Sequence, residues 1–478
     1  MKNRILLLSV LTLLTWSAHS QTIVSIELLE NYTASDLTAL FFGIPLPNGV
    51  DEYKVVYNTT DLNGNATVAS GAMYIPHGCD NFPMSVYQHG TIFDPELVPS
   101  RGEEPIGLAF AGFGYATVAP DYLGMGDNDI NVHPYLHAES QATAAANLLR
   151  AARSFITDSL GLMDNDELFI TGYSQGGHAA MALHKYIEDN NLLTEFNVIA
   201  SAPLSGPYDL AGVQTTLPQD SIYSVPTYLP YLIESMQYAY GNLYTNTTEV
   251  YQEPWATTIN DYKNGTINIG TFGQNLPPNV YDFMNPIFLD AYLADTVQPF
   301  THPFRIALSQ NANYNWTPQR PIRMIYCNAD EQVYFQNALN AEAAMNANGA
   351  PNVEAVLALD GGTHGTCFVP ALLNTIAWFN EQSTQCQAFP VFTTPADYSE
   401  SIRIYPNPTE GTIELNLMEL PTTKPLICRV LSISGQVLSE QILSGEMFPQ
   451  LYLNYPQGVY ILTLDNEDVS VKRKVTVF

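Results

Sequence analysis

Gly172-Tyr173-Ser174-Gln175-Gly176 decides the reading of this chain. It follows the apolar run Leu168-Phe169-Ile170 and precedes Gly177-His178-Ala179-Ala180-Met181-Ala182-Leu183. That order predicts a strand, a sharp turn and a helix. A serine at such a turn presents its hydroxyl over the end of a sheet, with a helix N-terminus behind it. The flanking glycines let backbone pass close to the serine at a strained angle. The bare pattern arises by chance, but framed by a strand and a helix it is specific.

In that frame the stretch resembles the nucleophile elbow of the α/β-hydrolases. The resemblance implies a mostly parallel sheet flanked by helices, with an acid and then a histidine following the serine in the chain. One histidine lies beyond residue 330: His364, in Gly361-Gly362-Thr363-His364-Gly365. It is expected in a glycine-rich loop after a strand at Glu354 to Leu359. The acid is placed at Asp330, after the apolar strand Ile322 to Cys327, at the carboxyl end where α/β sites gather. A helix is predicted from about Val333 to Ala347, with Asn348-Gly349 as its stop. Glu331 and Asp360 are the alternative acids.

These residue types suit acyl transfer. Ser174 attacks an acyl carbon, His364 carries its proton to the leaving group, and Asp330 orients and stabilises the imidazolium. The reaction passes through an acyl-enzyme. Its oxyanion needs backbone N–H donors, each worth roughly 3–4 kcal/mol. Gln175, next after the nucleophile, is one expected donor. The run Met84 to Gln88 leads to His89-Gly90-Thr91, where Thr91 is the second, with His89 and Gly90 as alternatives.

A further block reads as strand Tyr115 to Pro120, then Asp121-Tyr122-Leu123-Gly124-Met125-Gly126-Asp127, His133-Pro134-Tyr135 and a helix from Glu139 to Phe155. A segment of this kind before the elbow strand resembles the secretory lipases and related esterases, over about residues 50 to 382. Asp121, Tyr122 and His133 are read as buttresses of the site loop. The connection from the strand Phe196 to Ala202 to the strand at Ile322 is far longer than usual. Its insertion, about 207–320, is rich in Tyr, Asn and Pro and predicts a cap of short helices shaping an apolar acyl pocket. A helix at Pro370 to Phe379 closes this domain, given as residues 21–386.

The chain ends differ from its middle. Met1-Lys2-Asn3-Arg4, the apolar Ile5 to Trp16 and Ser17-Ala18-His19-Ser20 predict a secretory signal peptide over 1–20. Residues 387–400 read as a linker. Over 401–478, alternating strand-like segments predict a small all-β, sandwich-like domain. The strands are Thr412 to Leu417, Arg429 to Ser434, Val437 to Leu443, Gly458 to Leu464 and Val469 to Val477. Its YPNPTEG, SGQV, PQGVYIL and VKRKVTVF motifs resemble the C-terminal sorting domains of the type IX secretion system of Bacteroidetes. The resemblance implies export through the periplasm and outer membrane, with the secretion machinery as partner and the cell surface or medium as destination.

The chain has 478 residues and a net charge of −30, with 17 Lys and Arg against 47 Asp and Glu. So acidic a chain is unsuited to nucleic acid or anionic membranes. No transmembrane segment is expected beyond the signal. Of five cysteines, Cys327 is expected as a buried thiol. Cys428 falls in the sorting module, and Cys79, Cys367 and Cys386 hold at most one bridge. No CxxC or HExxH pattern occurs, so neither metal nor other cofactor is expected. The functional expectation is a secreted serine lipase or esterase, with a cap favouring medium-chain acyl esters. A secreted peptidase of the same fold, a polysaccharide-directed esterase and a non-catalytic surface binding protein are the alternatives.

Overall fold

Residues 168–170 and 84–86 are apolar or small without interruption, the mark of strands covered on both faces. They lie at the centre of a nine-stranded sheet. The computed structural model describes residues 23–41, 43–102, 104–215, 224–384, 396–397, 402–417, 424–432, 437–444, 448–466 and 469–478. The expected signal peptide, most of the expected linker and most of the SGQV turn lie outside the described residues; Ala396–Asp397, inside the 387–400 stretch read as a linker, form a short strand. The chain divides into two units after Gln387.

The strands of the first unit are β1 (Ile23–Tyr32), β2 (Val50–Thr60), β3 (Ala66–Pro76), β4 (Asn81–Gln88), β5 (Ala116–Pro120), β6 (Met163–Tyr173), β7 (Val198–Leu204), β8 (Ile322–Cys327) and β9 (Val353–Leu359). They are ordered β1-β2-β3-β5-β4-β6-β7-β8-β9. The first three strands are antiparallel, and everything from β5 to β9 is parallel. This is the α/β-hydrolase sheet expected from the elbow.

The helices are α1 (Ala34–Leu40), α2 (Pro105–Gly112), α3 (Ala138–Asp158), α4 (Gln175–Asp189), α5 (Tyr228–Tyr240), α6 (Trp255–Lys263), α7 (Ile269–Gly273), α8 (Pro286–Ala294), α9 (Pro303–Asn311), α10 (Gln336–Ala347) and α11 (His364–Gln382). Alternation along β6 assigns the two faces. Leu168 and Ile170 join Leu148 and Leu149 of α3 and Leu183 and Ile187 of α4 in one core. Phe169, between them, turns the other way, its ring 4.9 Å from Phe379 of α11 and 5.5 Å from Tyr115.

Two helix starts differ from expectation. Helix α10 begins at Gln336, because Asp330 Oδ1 accepts from the amides of Gln332 (3.0 Å) and Val333 (2.8 Å) and holds that stretch as a turn. Helix α11 begins at His364 itself rather than after it. Thr363 caps the first turn through its hydroxyl, and Pro370 is carried inside the helix.

Helices α5–α9 lie between β7 and β8 and build the predicted cap. The cap has its own apolar core, including Ile233, Met236, Ile259, Phe283, Leu289 and Phe304. The buried Glu234 carboxylate is satisfied by the hydroxyls of Tyr244 (2.5 Å) and Tyr251 (2.7 Å). Most cap tyrosines therefore serve packing.

The second unit contains β10 (Ala396–Asp397), β11 (Arg403–Tyr405), β12 (Thr412–Asn416), β13 (Leu426–Ser432), β14 (Val437–Leu443), β15 (Gln450–Tyr452), β16 (Gly458–Asp465) and β17 (Val469–Val477). A five-stranded and a three-stranded sheet share a core of Ile413, Leu415, Val430, Leu462, Leu464 and Val475. Free, buried Cys428 belongs to it. In the first unit, Cys327 is not the free thiol expected. It is bridged to Cys367, with Cα atoms 5.8 Å apart and a sequence separation of 40. A strand end and a helix start so far apart in the chain give no local signal of their pairing. Cys79 is also disulfide-bonded.

Besides His184 and His364, the buried histidines near the elbow and α3 are His89, His133, His137 and His178. His178 of α4 meets Gln141 Oε1 at 3.0 Å and the Asn311 carbonyl at 2.9 Å, tying α4 to α3 and to the cap. Burial lowers the His89, His137 and His178 imidazoles to about 4, and His133 to about 3.

Two outcomes are expected. A Cβ on Gly176 would lie 1.9 Å from the Gln88 carbonyl, whereas one on Gly365 meets nothing within 4 Å. Gly176→Ala should therefore destabilise by about 3 kcal/mol or more, and Gly365→Ala by nothing, read by urea unfolding. The depressed histidines bind fewer protons folded than unfolded. Their contribution is complete above about pH 6.5 and is lost as pH falls through their folded values, at about 1.4 kcal/mol per group and pH unit. Glu104, pushed up to about 8 by burial, opposes this together with Glu52, Asp121, Asp209 and Glu234, which burial also raises. The histidine part is read by difference: in thermal scans from pH 7.5 to 4.5, wild type should lose more Tm below pH 6.5 than His178→Gln, which has no group to protonate there.

Candidate active site

Strand β6 ends at Tyr173, helix α4 begins at Gln175, and Ser174 alone makes the turn. Its backbone sits at φ 61° and ψ −116°, a conformation that costs an L-residue on the order of 1–3 kcal/mol. Its own amide holds it, donating to the Leu204 carbonyl of β7 at 2.9 Å. The glycines around it are required by close approach. A Cβ on Gly172 would meet the Gly176 carbonyl at 2.4 Å, and one on Gly177 the Leu204 carbonyl at 2.4 Å. Residues 172 to 177 thus form a tight crossing of β4, β6, β7 and α4, with Ser174 on its outer side.

The other candidates come from the adjacent strand ends. His364 Nδ1 lies 2.7 Å from Asp330 Oδ2, and both groups are buried. Glu331 does something else: its carboxylate accepts the backbone amide of His364 at 3.1 Å. Burial alone would raise the Glu331 carboxyl, and this amide with the neighbouring donors more than offsets it, holding the group below its ordinary range. Asp360 takes an amide hydrogen from Asn328 at 2.7 Å. Tyr173, next to Ser174, donates its hydroxyl to the His364 carbonyl, its ring tilted against the imidazole with centroids 5.0 Å apart. Sequence inspection missed Tyr173 and the second contact of Glu331, since neither belongs to a motif.

The expected oxyanion donors are placed unequally. Gln175 is the first residue of α4, so its amide is one of the unpaired N–H groups of a helix start. Its side chain is locked: His133 Nδ1 faces the Leu123 carbonyl at 2.7 Å, leaving Nε2 to accept from Gln175 Nε2 at 2.8 Å. Gly90 is the member of the 89–91 loop that packs on the elbow. A Cβ there would stand 4.0 Å from Ser174 Cβ. Thr91 uses its hydroxyl on Tyr135 at 2.9 Å. Asp121 is fully buried and accepts from Ser70 Oγ (2.5 Å) and the Ser100 amide (2.9 Å), and Tyr122 donates to the His89 carbonyl at 3.3 Å.

A slot of about 60 Å³ opens on Ser174 and Gln175. At about 10–15 Å³ per water it holds only a few waters. Its walls are Leu229 and Leu232 of α5, Tyr292 of α8, Phe304 and Leu308 of α9, and Val333. Tyr228 of α5 donates to Gln332 Oε1 at 2.9 Å, joining the cap to the turn that carries Asp330. The cap is thus drawn close over Ser174, with an apolar lining. Among the described residues, no cluster of three His, Cys, Asp or Glu side chains is placed to hold a metal, and no helix is long and apolar enough to cross a membrane.

Known proteins resemble this chain in its two units separately. Residues 403–477 match the family described as the secretion system C-terminal sorting domain. The rice cell wall degrading esterase LipA from Xanthomonas oryzae superposes with a TM-score of 0.66 at 30% identity, over 76% of this chain and 98% of that one. A putative hydrolase from Legionella pneumophila gives a TM-score of 0.69 at 24% identity, over 77% of this chain and all of its own. Candida antarctica lipase A in its closed state gives 0.55 at 16%, over 79% and 87%, and shares the fold. A search of curated proteins gives no match. With LipA covered almost end to end at this identity, the chain belongs to the LipA family of α/β-hydrolase esterases, and it carries a type IX sorting domain in addition.

Proposed function

We propose that this protein hydrolyses carboxylic esters with Ser174 as nucleophile, His364 as base and then acid, and Asp330 as the group that orients the imidazole. The observation that carries this reading is the 2.7 Å contact between His364 Nδ1 and Asp330 Oδ2, beside a serine held at positive φ on an elbow. A carboxylate on Nδ1 fixes the tautomer whose Nε2 is free to accept the serine proton. Serine oxygen adds to the acyl carbon, and the oxyanion is met by the Gln175 amide and by an amide of the 89–91 loop. Collapse releases the alcohol, protonated by His364, and leaves an acyl-enzyme. Water, deprotonated by the same histidine, then releases the acid.

The apolar slot takes the acyl group, and its small volume favours short and medium chains until the cap moves. The sorting domain addresses the chain to the type IX machinery and so to the cell surface or medium, which suits a substrate found outside the cell. Kinship with an esterase described as degrading rice cell walls supports a second reading of the alcohol side, in which the ester is borne by a wall polysaccharide.

Turnover of p-nitrophenyl esters from acetate to palmitate by the secreted protein tests the reading. Ser174→Ala and His364→Ala should each lower kcat by about 10³-fold or more, and Asp330→Asn by about 10²–10⁴-fold, with KM little changed. Wild-type turnover in Ser174→Ala would end it. Chain-length preference should peak at or below about eight carbons if the closed cap sizes the pocket. A preference for palmitate would show that the cap opens. Release of acid from an esterified wall polysaccharide, absent in Ser174→Ala, would support the second reading.

A further inference from the structure

Six links join the segment after β8 to the segment before and within the start of α11. Asn328 Nδ2 donates to Asp360 Oδ1 (2.7 Å), and the Gly361 amide donates to Asn328 Oδ1 (2.7 Å). The Ala329 amide donates to the Gly362 carbonyl at 3.2 Å. The His364 amide donates to Glu331 (3.1 Å), and the imidazole meets Asp330 (2.7 Å). The sixth link is covalent, the bridge from Cys327 to Cys367. Its placement is symmetric. Cys327 is the last residue of β8, three before Asp330. Cys367 lies in the first turn of α11, three after His364.

Of the other links, the one between buried side chains is the Asp330–His364 contact itself, which is the contact that has to be positioned. The Asn328 pair and the Glu331 contact involve solvent-facing groups, whose hydrogen bonds exchange readily with water. The β8–β9 ladder also loses register at this point: Tyr326 pairs with Leu357, but Cys327 pairs with Leu359. Strand pairing therefore sets no continuous register into the two loops. The bridge, by contrast, is fully buried at both ends. Gly362 packs onto it, with room for a Cβ only at 3.1 Å from Cys327 Sγ, and Ser205 Oγ lies 3.7 Å from Cys367 Sγ.

We infer that the Cys327–Cys367 bridge is a positioning element of the ester-cleaving site, holding Asp330 and His364 in register, so that full activity waits for oxidation after export. This rests on the proposed roles of Ser174, His364 and Asp330. Misplacement of a reacting group by about 1 Å can cost about 10²-fold in rate, which is the leverage available to such a tie. The bridge forms by thiol–disulfide exchange with a disulfide-bearing oxidant of the exported compartment. One thiolate attacks the oxidant's disulfide, and the second displaces the mixed disulfide. The S–S bond forms between Cys327 and Cys367, and the oxidant leaves as its dithiol. Thiols stay reduced in the cytosol and pair outside it. A chain bearing a sorting domain thus meets both conditions in turn.

The test uses the full secreted chain with p-nitrophenyl butyrate. Cys327→Ser with Cys367→Ser removes the tie, and Cys327→Ala with Cys367→Val removes it while refilling the apolar space. Folding is checked by circular dichroism at the assay temperature. The expected result is a kcat lower by about 10–100-fold with a KM within about twofold. Wild-type kcat in either folded pair would overturn the inference, even with a lowered Tm. If neither pair folds, oxidative refolding of wild type decides, with the 327–367 linkage followed by mass spectrometry. Activity regained in step with the linkage supports the inference, and activity regained ahead of it overturns it. Labelling of oxidised wild type at Ser174 by a fluorophosphonate separates this outcome from failure of the serine mechanism itself.

Discussion

One backbone constraint organises the first unit: Ser174 stands at positive φ in a turn with no slack. A serine does not occupy that region unaided, so the surroundings must hold it there. They do so by contact rather than by charge. The Gly176 Cα sits where any side chain would strike the Gln88 carbonyl, and Gly177 packs the same way on β7. Helix α4 can therefore leave the sheet immediately after β6, and its N-terminus stays behind the hydroxyl. The strain is offset by the apolar core beneath, where Leu168 and Ile170 pack against α3 and α4.

The groups around Ser174 arrive from different strand ends, as parallel connectivity requires. Each of β4, β6, β7, β8 and β9 points its carboxyl end toward the same rim. Asp330 follows β8, His364 follows β9, and Gly90 follows β4. The Asp330 carboxylate also shapes its own loop, since Oδ1 accepts two backbone amides while Oδ2 faces the imidazole. A side chain engaged on both oxygens cannot rotate away from the ring without breaking the turn. The site is thus held by the same bonds that build the loops, a pattern that favours preorganisation over adjustment.

The cap adds shape to this rim. Tyr228 reaches down to Gln332, two residues beyond Asp330, while Leu229 and Leu232 of the same helix line the slot. The helix that closes the pocket therefore bonds to the loop that carries Asp330. Burial raises the Tyr228 phenol to about 12, aided by the nearby Asp330 and Glu331, so it remains a donor across the physiological range.

Much of this was legible in the residues themselves. Local order alone gave the strand, serine and helix of the elbow, because a glycine-flanked serine between two apolar runs has few other folds open to it. The strand Ile322–Cys327 and the cap insertion were equally plain, the first from its apolar run and the second from sheer length. The alternation of Val437–Leu443 and Val469–Val477 likewise marked the β-rich second unit. What the chain could not announce was set by separation in sequence. The choice among Asp330, Glu331 and Asp360 turns on which carboxylate faces the imidazole in space, and Asp360, four residues away in the chain, bonds Asn328 while the more distant Asp330 meets the ring. Helix α11 starts at His364 because Thr363 caps it, a contact weaker as a signal than the glycines around it. The bridge from Cys327 to Cys367 is the clearest case. A buried cysteine at a strand end looks the same whether free or bonded, and only the folding of β8 against α11 brings its partner within reach.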